Sequence, residues 1–314
     1  LLQQGLNMFN ENKFEDAKKV FKQVLDQEKN SFESLHALGV INGHQGNHTK
    51  ASEYFFDAHK LKPNDLTLNI NLANSLLELG DNKNSIFFLD NAIKLNPKLS
   101  SIWYIKGVAL KNLNDYELAK NCFKQSLVLD KYNEKAYFNL GSIYRSTKQF
   151  DVGIKLLEEA LNLFQSPQIL EVFFTNLSNL HLDKKENQFG EDYSIVKEYS
   201  NKAISINSKN YIALNNLAMS NMFEKKYDLA AIQLEKVVEI NQNFAPAFRN
   251  LGTLNNHLGN FKMAEKNLKS AITIEPSDVS KNFLLSEVLL HQNKFSEAWK
   301  YYEYRWEDTG GQTL

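Results

Sequence analysis

The stretch that decides the fold runs from Phe248 to Pro276 and reads FRNLGTLNNHLGNFKMAEKNLKSAITIEP. Its first half places apolar residues at three- and four-residue spacing, which predicts an amphipathic helix. Gly252 lies on the same apolar face, where the missing side chain would let another helix approach closely. Gly259 and Asn260 then predict the end of that helix and the cap of a second one. Small residues flank Leu268 on one face of the second helix. The stretch therefore predicts two short helices folded back on each other.

The same arrangement recurs along the chain, for the most part in steps of 34 residues. Each repeat has a small residue that directly follows an apolar residue or one with a long side chain. These small residues are Gly5, Gly39, Ala73, Gly107, Gly141, Ser178, Ala218, Gly252 and Ser286. A small residue of the second helix recurs in step, from Ala17 to Ala298. Three of the five prolines, Pro63, Pro97 and Pro276, close a repeat, and none is expected inside a helix. The chain is therefore predicted to be a tandem array of about nine helical hairpins.

The repeated pattern W/L/F-x2-L-G…A-x3-F/L-x2-A-x4-P resembles the tetratricopeptide repeat signature. The resemblance implies an all-α fold, an α-α superhelix of about nine helix-turn-helix repeats with a right-handed course. The predicted array covers residues 1–306, and residues 307–314 are predicted to be a linker to a further C-terminal region. The predicted repeats lie at about 1–30, 31–64, 65–98, 99–132, 133–166, 167–209, 210–243, 244–277 and 278–306.

Repeat six departs from the pattern because Ala203 of its second helix comes six residues late. The extra residues lie in the segment DKKENQFGEDYS, near residues 183–194, whose charges and glycine predict a lengthened turn between the two helices. Two interpretations stay open. The segment is either a tolerated insertion at one rim of the array or a functional loop.

Composition excludes several classes of function. The chain carries 36 basic and 37 acidic residues without a long block of either sign, so a nucleic-acid groove is not expected. No run approaches the roughly 20 apolar residues that span a bilayer, so no membrane insertion is expected. Cys122 is the only cysteine, which rules out an internal disulfide and predicts a reducing, cytoplasmic compartment.

Catalytic motifs are missing from the sequence. The seven histidines lie in different repeats, and His44 and His48 stand on either side of a predicted turn, so they share no helical face for a metal ion. No phosphate-binding loop, nucleophile elbow or paired-cysteine motif occurs. We therefore expect no catalysis by this segment, no metal and no cofactor, whereas the activity of a longer parent chain stays open.

In five repeats the residue two positions before the recurring small residue is an asparagine. These asparagines are Asn71, Asn139, Asn176, Asn216 and Asn250. In the tetratricopeptide family this position lies on the concave wall formed by the first helices. The row resembles the asparagine ladder in the tetratricopeptide arm of O-linked N-acetylglucosaminyltransferase, which implies that it holds an extended peptide. A carboxamide suits that role because it both donates and accepts hydrogen bonds. The alternative is that these amides serve backbone groups between neighbouring first helices.

Other inner-wall positions carry aromatic and cationic side chains, namely Tyr104, Lys111, Lys135, Phe138, Arg145 and Arg249. Such groups suit a peptide with acidic or apolar side chains, since aromatic residues and arginine dominate binding hot spots. The clamp with which chaperone-binding members hold a terminal carboxylate does not occur at matching positions in three successive repeats. We therefore predict a protein–protein interaction scaffold that binds an extended peptide in the concave groove.

The last repeat contains FSEAWKYYEYRWE, which resembles the terminal repeat of bacterial tetratricopeptide proteins joined to a glycosyltransferase-type domain. The matched residues are Trp299, Tyr302, Glu303, Arg305 and Trp306. Large aromatic residues with arginine would bury well against another domain, and they would equally cap the apolar end of the array. The resemblance implies an alternative function. In it the array is the substrate-recognition arm of a larger glycosyltransferase, of the O-GlcNAc-transferase or a related bacterial type, with its catalytic domain after residue 314.

Overall fold

The computed structural model describes residues 1–185, 192–277 and 280–304. Within these residues the chain is all α, and its eighteen helices follow one another in pairs. This confirms the predicted all-α fold of about nine helix-turn-helix repeats. In chain order the helices are α1 (Leu2–Asn10), α2 (Phe14–Gln27), α3 (Phe32–His44), α4 (His48–Leu61), α5 (Leu66–Glu78), α6 (Asn82–Leu95), α7 (Ser100–Asn112), α8 (Tyr116–Leu129), α9 (Glu134–Ser146), α10 (Phe150–Leu161), α11 (Pro167–Lys184), α12 (Ser194–Ile206), α13 (Tyr211–Phe223), α14 (Tyr227–Ile240), α15 (Ala245–His257), α16 (Phe261–Ile274), α17 (Ser280–His291) and α18 (Phe295–Tyr302).

The pairs α1/α2 to α17/α18 are called hairpins one to nine. In eight of them the turn contains one residue with positive φ, two positions after the first helix ends. Gly259 has a φ of 75° and ends α15 at the place that the sequence predicts. Asn260 is the N-cap residue of α16, although its side chain forms no cap bond. Asparagine and lysine take the same backbone conformation in other turns, such as at Asn114 and Lys225, so the turn geometry does not depend on glycine.

The two helices of a hairpin cross where a small residue of the first faces a large residue of the second. A Cβ atom added to Gly39 would lie 2.4 Å from the ring of Phe55, and one added to Gly252 would lie 2.5 Å from Leu268. Both distances are well below a carbon–carbon contact, so the large side chain occupies the space that the glycine leaves. The small position of the repeat is therefore set by packing inside each hairpin.

The chain divides into two compact units, Leu1–Ile143 (unit 1) and Tyr144–Leu314 (unit 2). In unit 1 one hydrophobic core runs from α3 to α7. In unit 2 one core runs from α13 to α15 and another from α16 to α18. Each core joins neighbouring hairpins, as expected for a repeat array whose stability comes from contacts between adjacent units.

Hairpin six has a different interior from the others. Ser200 stands where the other hairpins carry a large side chain, and its hydroxyl lies 2.7 Å from that of Ser178, with both residues fully buried. Tyr193, just before α12, is also fully buried and stacks on Phe223 with ring centroids 5.0 Å apart. Half of the inserted segment that distinguishes this hairpin, residues 186–191, lies outside the described residues, so its two interpretations stay open.

Hairpins eight and nine are joined by a cluster of charges around Glu265 on α16. Its carboxylate accepts hydrogen bonds from Lys269 at 2.8 Å, Lys294 at 2.6 Å and Gln292 at 2.9 Å. Burial opposes ionisation of this side chain, which is only 14% exposed, but the three donors outweigh it and hold the pKa of Glu265 at about 2. The cluster stabilises the packing of α18 as long as Glu265 is ionised.

Candidate functional site

Unit 2 contains a cleft of about 340 Å³ whose walls are first helices of successive hairpins. Residues from α11, α13 and α15 line it, together with Arg145 from the last turn of α9. We call it the unit 2 cleft. It lies along the first helices, where the sequence predicted the binding wall.

The floor of the unit 2 cleft is one face of α13. Ile212, Asn215, Asn216, Met219 and Phe223 line the cleft. Apart from the adjacent pair Asn215 and Asn216, they follow one another at the three- and four-residue spacing of a single helical face. Only Asn216 belongs to the predicted row. Ile212, Met219 and Phe223 could have been found by extending the helical spacing in both directions from Asn216, whereas Asn215, its neighbour in the chain, could not.

Four asparagines of the cleft form two hydrogen-bonded pairs between neighbouring first helices, which we call the carboxamide pairs. Asn216 donates its side-chain amide to Oδ1 of Asn179 at 2.6 Å and to the hydroxyl of Ser178 at 3.2 Å. Asn250 donates to Oδ1 of Asn215 at 2.9 Å. Asn216 and Asn250 are each only 3% exposed, so these bonds are part of the packing between hairpins.

In each carboxamide pair, the amide group of one asparagine donates to the side-chain oxygen of the other. The second amide group and the other side-chain oxygen take no part in that bond. The amide nitrogen of Asn179 and Oδ1 of Asn216 have no hydrogen-bond partner among the described residues, and the same holds for the amide nitrogen of Asn215 and Oδ1 of Asn250. A spare N–H donor next to a spare carbonyl acceptor matches the hydrogen-bonding groups of one peptide unit. The cleft thus offers two such combinations on adjacent helices.

Three side chains that line the cleft carry charge. Arg145 binds Asp183 through two hydrogen bonds, with Nε at 2.5 Å and Nη2 at 3.2 Å from the carboxylate oxygens, so these two charges compensate each other. The guanidinium of Arg249 is half-buried and has no partner among the residues that the structure describes. The net charge of the cleft lining is therefore that of Arg249.

Apolar side chains form the rest of the lining. Phe244 packs edge-on against Tyr211 with ring centroids 5.0 Å apart, and Pro246 and Met219 line the cleft beside it. This wall gives the cleft a surface on which apolar side chains can lose water contact.

Two of the predicted row residues lie in unit 1 and bond to other side chains there. The amide of Asn71 lies 3.1 Å from Nε2 of His36, whose pKa is lowered by burial. Oδ1 of Asn139 accepts a hydrogen bond of 2.6 Å from Lys111, and burial lowers the pKa of that lysine. The amide of Asn139 donates to the backbone oxygen of Lys135 at 2.9 Å.

The remaining predicted residues are dispersed. Asn176 donates its amide to the backbone oxygen of Val172 at 2.8 Å and does not line the unit 2 cleft. Tyr104 packs against Phe123 in unit 1, and burial raises the pKa of its hydroxyl. Phe138 is half-buried on α9 in unit 1. The structure thus brings together Asn216, Asn250, Arg145 and Arg249, whereas the other predicted side chains stand elsewhere.

The predicted docking residues lie at the end of the described chain. Trp299 is 53% exposed on α18 and contacts Tyr302 edge-on at 5.1 Å between ring centroids. Tyr302 in turn packs against Phe283 of α17 at 5.9 Å, and Glu303 is exposed. The other two docking residues, Arg305 and Trp306, and the predicted linker 307–314 lie outside the described residues.

Two other kinds of site are absent from the described part of the chain. No group of three or more histidine, cysteine, aspartate or glutamate side chains there is placed to hold a metal ion. Nor does any helix in that part have the length and apolar character to cross a membrane. Cys122 is buried, and burial raises the pKa of its thiol.

Similar proteins share the array over part of their length. Protein O-mannosyl-transferase TMTC3 of Homo sapiens is 24% identical over 244 residues, which cover 76% of this chain and 26% of that protein. BBSome complex member BBS4 of Bos taurus is 21% identical over 310 residues, 96% of this chain and 56% of that protein. The chain therefore spans about a quarter of the first relative and about half of the second.

A solved structure has the same fold. The crystal structure of the APC/C hetero-tetramer Cut9-Hcn1 matches 99% of this chain and 60% of that chain with a TM-score of 0.65 at 15% identity. At this identity the likeness shows the fold alone.

The sequence profile of the tetratricopeptide repeat matches five segments of the chain, residues 66–99, 100–133, 134–167, 211–244 and 245–278. A second profile of the same repeat matches residues 2–65. Together with the paired helices of the structure, these matches establish an array of the kind that typically serves protein–protein interaction. The chain belongs to the tetratricopeptide repeat family.

Proposed function

We propose that this chain is a non-catalytic scaffold that binds an extended segment of a partner protein along the unit 2 cleft. The observation that carries the proposal is the spare donor and spare acceptor of each carboxamide pair. An extended peptide presents unpaired N–H and C=O groups along its length, and two carboxamide pairs on adjacent helices can bond to it without reading its side chains.

The rest of the cleft is consistent with this role. The apolar wall around Phe244 and Met219 can cover side chains that point away from the asparagines. Because Asn216 and Asn250 are already held by bonds within the chain, their orientation is set before a peptide arrives, which lowers the entropy lost on binding. One relative is named as a member of an assembly, the BBSome complex, which supports protein binding in general.

The test is a selection from a phage-displayed library of random linear peptides on the wild-type chain, followed by fluorescence anisotropy with the enriched peptides. In the double variant Asn179→Asp/Asn215→Asp, both internal bonds are kept, because Oδ1 stays in place, while both spare donors become acceptors. Losing two donors, each worth about 1 kcal/mol, should weaken peptide binding by about tenfold or more. The melting temperature should change little.

The matched control is Asn201→Asp/Asn260→Asp, which adds the same two negative charges at exposed positions of unit 2, one on α12 and one at the N-cap of α16, neither of which lines the cleft. It should bind the enriched peptides like the wild type. The proposal is wrong if no linear peptide is enriched over an unrelated protein, or if the control and the double variant lose affinity equally.

A second candidate function is the substrate-recognition arm of a glycosyltransferase. What favours it is the match to an O-mannosyl-transferase, together with the exposed Trp299 and Phe295, which lie one helical turn apart on α18. In this proposal α18, with Trp299, Tyr302 and Glu303, docks against a catalytic domain, to which Arg305 and Trp306 also contribute. Reading the gene beyond Leu314 tests it, since a stop codon there would exclude such a domain. The reducing, cytoplasmic compartment predicted from the single cysteine likewise stays a prediction.

A further inference from the structure

Arg249 differs from the other arginine of the unit 2 cleft in having no anion beside it. Arg145 is held by Asp183 through two hydrogen bonds, and freeing it for a ligand would leave that carboxylate without its partner. No described residue bonds to the guanidinium of Arg249, and every N–H of this group is a donor. Arg249 is therefore the position at which the cleft can bind an anion without breaking an existing bond.

The surroundings of Arg249 strengthen that interaction. Arg249 is a half-buried residue that lines the same cleft as Pro246 and Phe244, so a charge bound to it in the cleft is partly shielded from water by the apolar wall. Coulomb attraction grows as the effective dielectric constant falls, and a charge-assisted hydrogen bond is stronger than a neutral one. The lining offers no other net charge, because the Arg145–Asp183 pair is neutral.

We infer that the bound segment carries an acidic side chain whose carboxylate pairs with Arg249, next to an apolar side chain that packs on the wall of Phe244 and Met219. This inference rests on the proposed function and adds the chemical class of the partner. We assign the carboxylate to a side chain rather than to a chain terminus. Arg249 lies on α15, with α11 and α13 before it and α17 after it, so the row of first helices continues on both sides and a segment can pass over Arg249.

The experiment extends the peptide selection to three variants. Wild-type protein should enrich peptides with aspartate or glutamate at one fixed register position, followed or preceded by an apolar residue. Replacing that acidic residue by its amide in a synthetic peptide should weaken binding by about tenfold. Arg249→Gln should remove the acidic preference, and Arg249→Glu should select lysine or arginine at the same register position.

The control variant is Arg145→Gln/Asp183→Asn, which removes the paired charges without changing the net charge of the cleft. This variant should still enrich peptides with an acidic residue at the same register position. That result would separate the role of Arg249 from a general effect of altering charges in the cleft. All variants are compared by circular dichroism and melting temperature before binding is measured. Synthetic peptides are tested with an amidated C-terminus, so that a terminal carboxylate cannot supply the anion.

The outcomes separate the two proposals. If peptides are enriched without an acidic preference, or if Arg249→Gln keeps that preference, the inference about Arg249 is wrong and peptide binding stands. If amidation of the C-terminus abolishes binding, the side-chain assignment is wrong. If the wild type enriches no peptide at all, the proposed function fails and this inference fails with it.

Discussion

Two glycines of α3 provide a sharp test of how the hairpins pack. Gly39 faces the ring of Phe55, where an added Cβ would lie 2.4 Å from the nearest ring carbon. Gly43 lies one helical turn further on, where the nearest atom to an added Cβ is Cβ of Ala51 at 3.9 Å. Gly39→Ala and Gly43→Ala therefore add the same methyl group to the same helix, but only the first enters occupied space.

The expected changes have opposite signs. Alanine is favoured over glycine within a helix by up to about 1 kcal/mol, so Gly43→Ala should raise the free energy of unfolding by about 0.5 kcal/mol in the last turn of α3. At Gly39 the methyl must displace the ring of Phe55, which is 2% exposed and has little room to move. Overpacking typically costs about 1–3 kcal/mol, so Gly39→Ala should lower the free energy of unfolding by about 1–2 kcal/mol after the helix-propensity gain.

Hairpin three suggests the compensating change. There Ala73 and Leu89 occupy the positions of Gly39 and Phe55, and both are fully buried. Phe55→Leu alone should be destabilising because it leaves a cavity. The double variant Gly39→Ala/Phe55→Leu should be at least as stable as Phe55→Leu, giving a favourable coupling of about 1 kcal/mol or more in a double-mutant cycle.

The assay is urea denaturation followed by circular dichroism, with amide hydrogen exchange to locate the change. Since repeat arrays unfold in parts, exchange protection in α3 and α4 should follow the same order as the unfolding free energies. Equal stabilities for Gly39→Ala and Gly43→Ala would refute the packing argument, and so would a double variant that sums the two single losses.

Three further predictions concern other parts of the array. Glu265→Gln should lower the free energy of unfolding at neutral pH by about 2 kcal/mol, measured by urea denaturation, because Lys294 loses its anion and Lys269 keeps only its bond to Glu297. The folded-state pKa of Glu265, about 2, lies below the usual value of 4.5, so its stabilisation is present above pH 4.5 and is lost as the pH falls towards 2. In an acid titration the wild type should therefore lose its advantage over Glu265→Gln across that interval, and a constant difference would contradict the assignment. Ser200→Ala should cost about 1 kcal/mol because it removes the buried hydrogen bond to Ser178, whereas no loss in denaturation would show that this bond does not stabilise hairpin six. Cys122 should react with a thiol reagent much more slowly in the native chain than in urea, because it is buried and its pKa is raised, and equal rates would contradict its burial.

Local features of the sequence predicted the hairpins well because each depends on residues close together in the chain. Gly259 follows the end of α15 and Asn260 is the N-cap residue of α16, as their positions indicate. Gly252 faces Leu268 because the helical period and a short turn suffice to bring them together. Hairpin six shows the same dependence, since the displaced Ala203 correctly indicates a second helix that starts later than in the other repeats.

The sequence by itself determined the fold class, the number of hairpins and which helix of each hairpin lines the unit 2 cleft, because these follow from periodicity within one repeat. Only the tertiary structure decided which residues of these helices lie together. Asn250 meets Asn215 and Arg145 meets Asp183 across neighbouring hairpins, at angles set by how those hairpins pack and not by helical spacing. For the same reason the sequence could not tell that Arg145 is neutralised while Arg249 is not, which is the difference on which the proposed acidic partner depends.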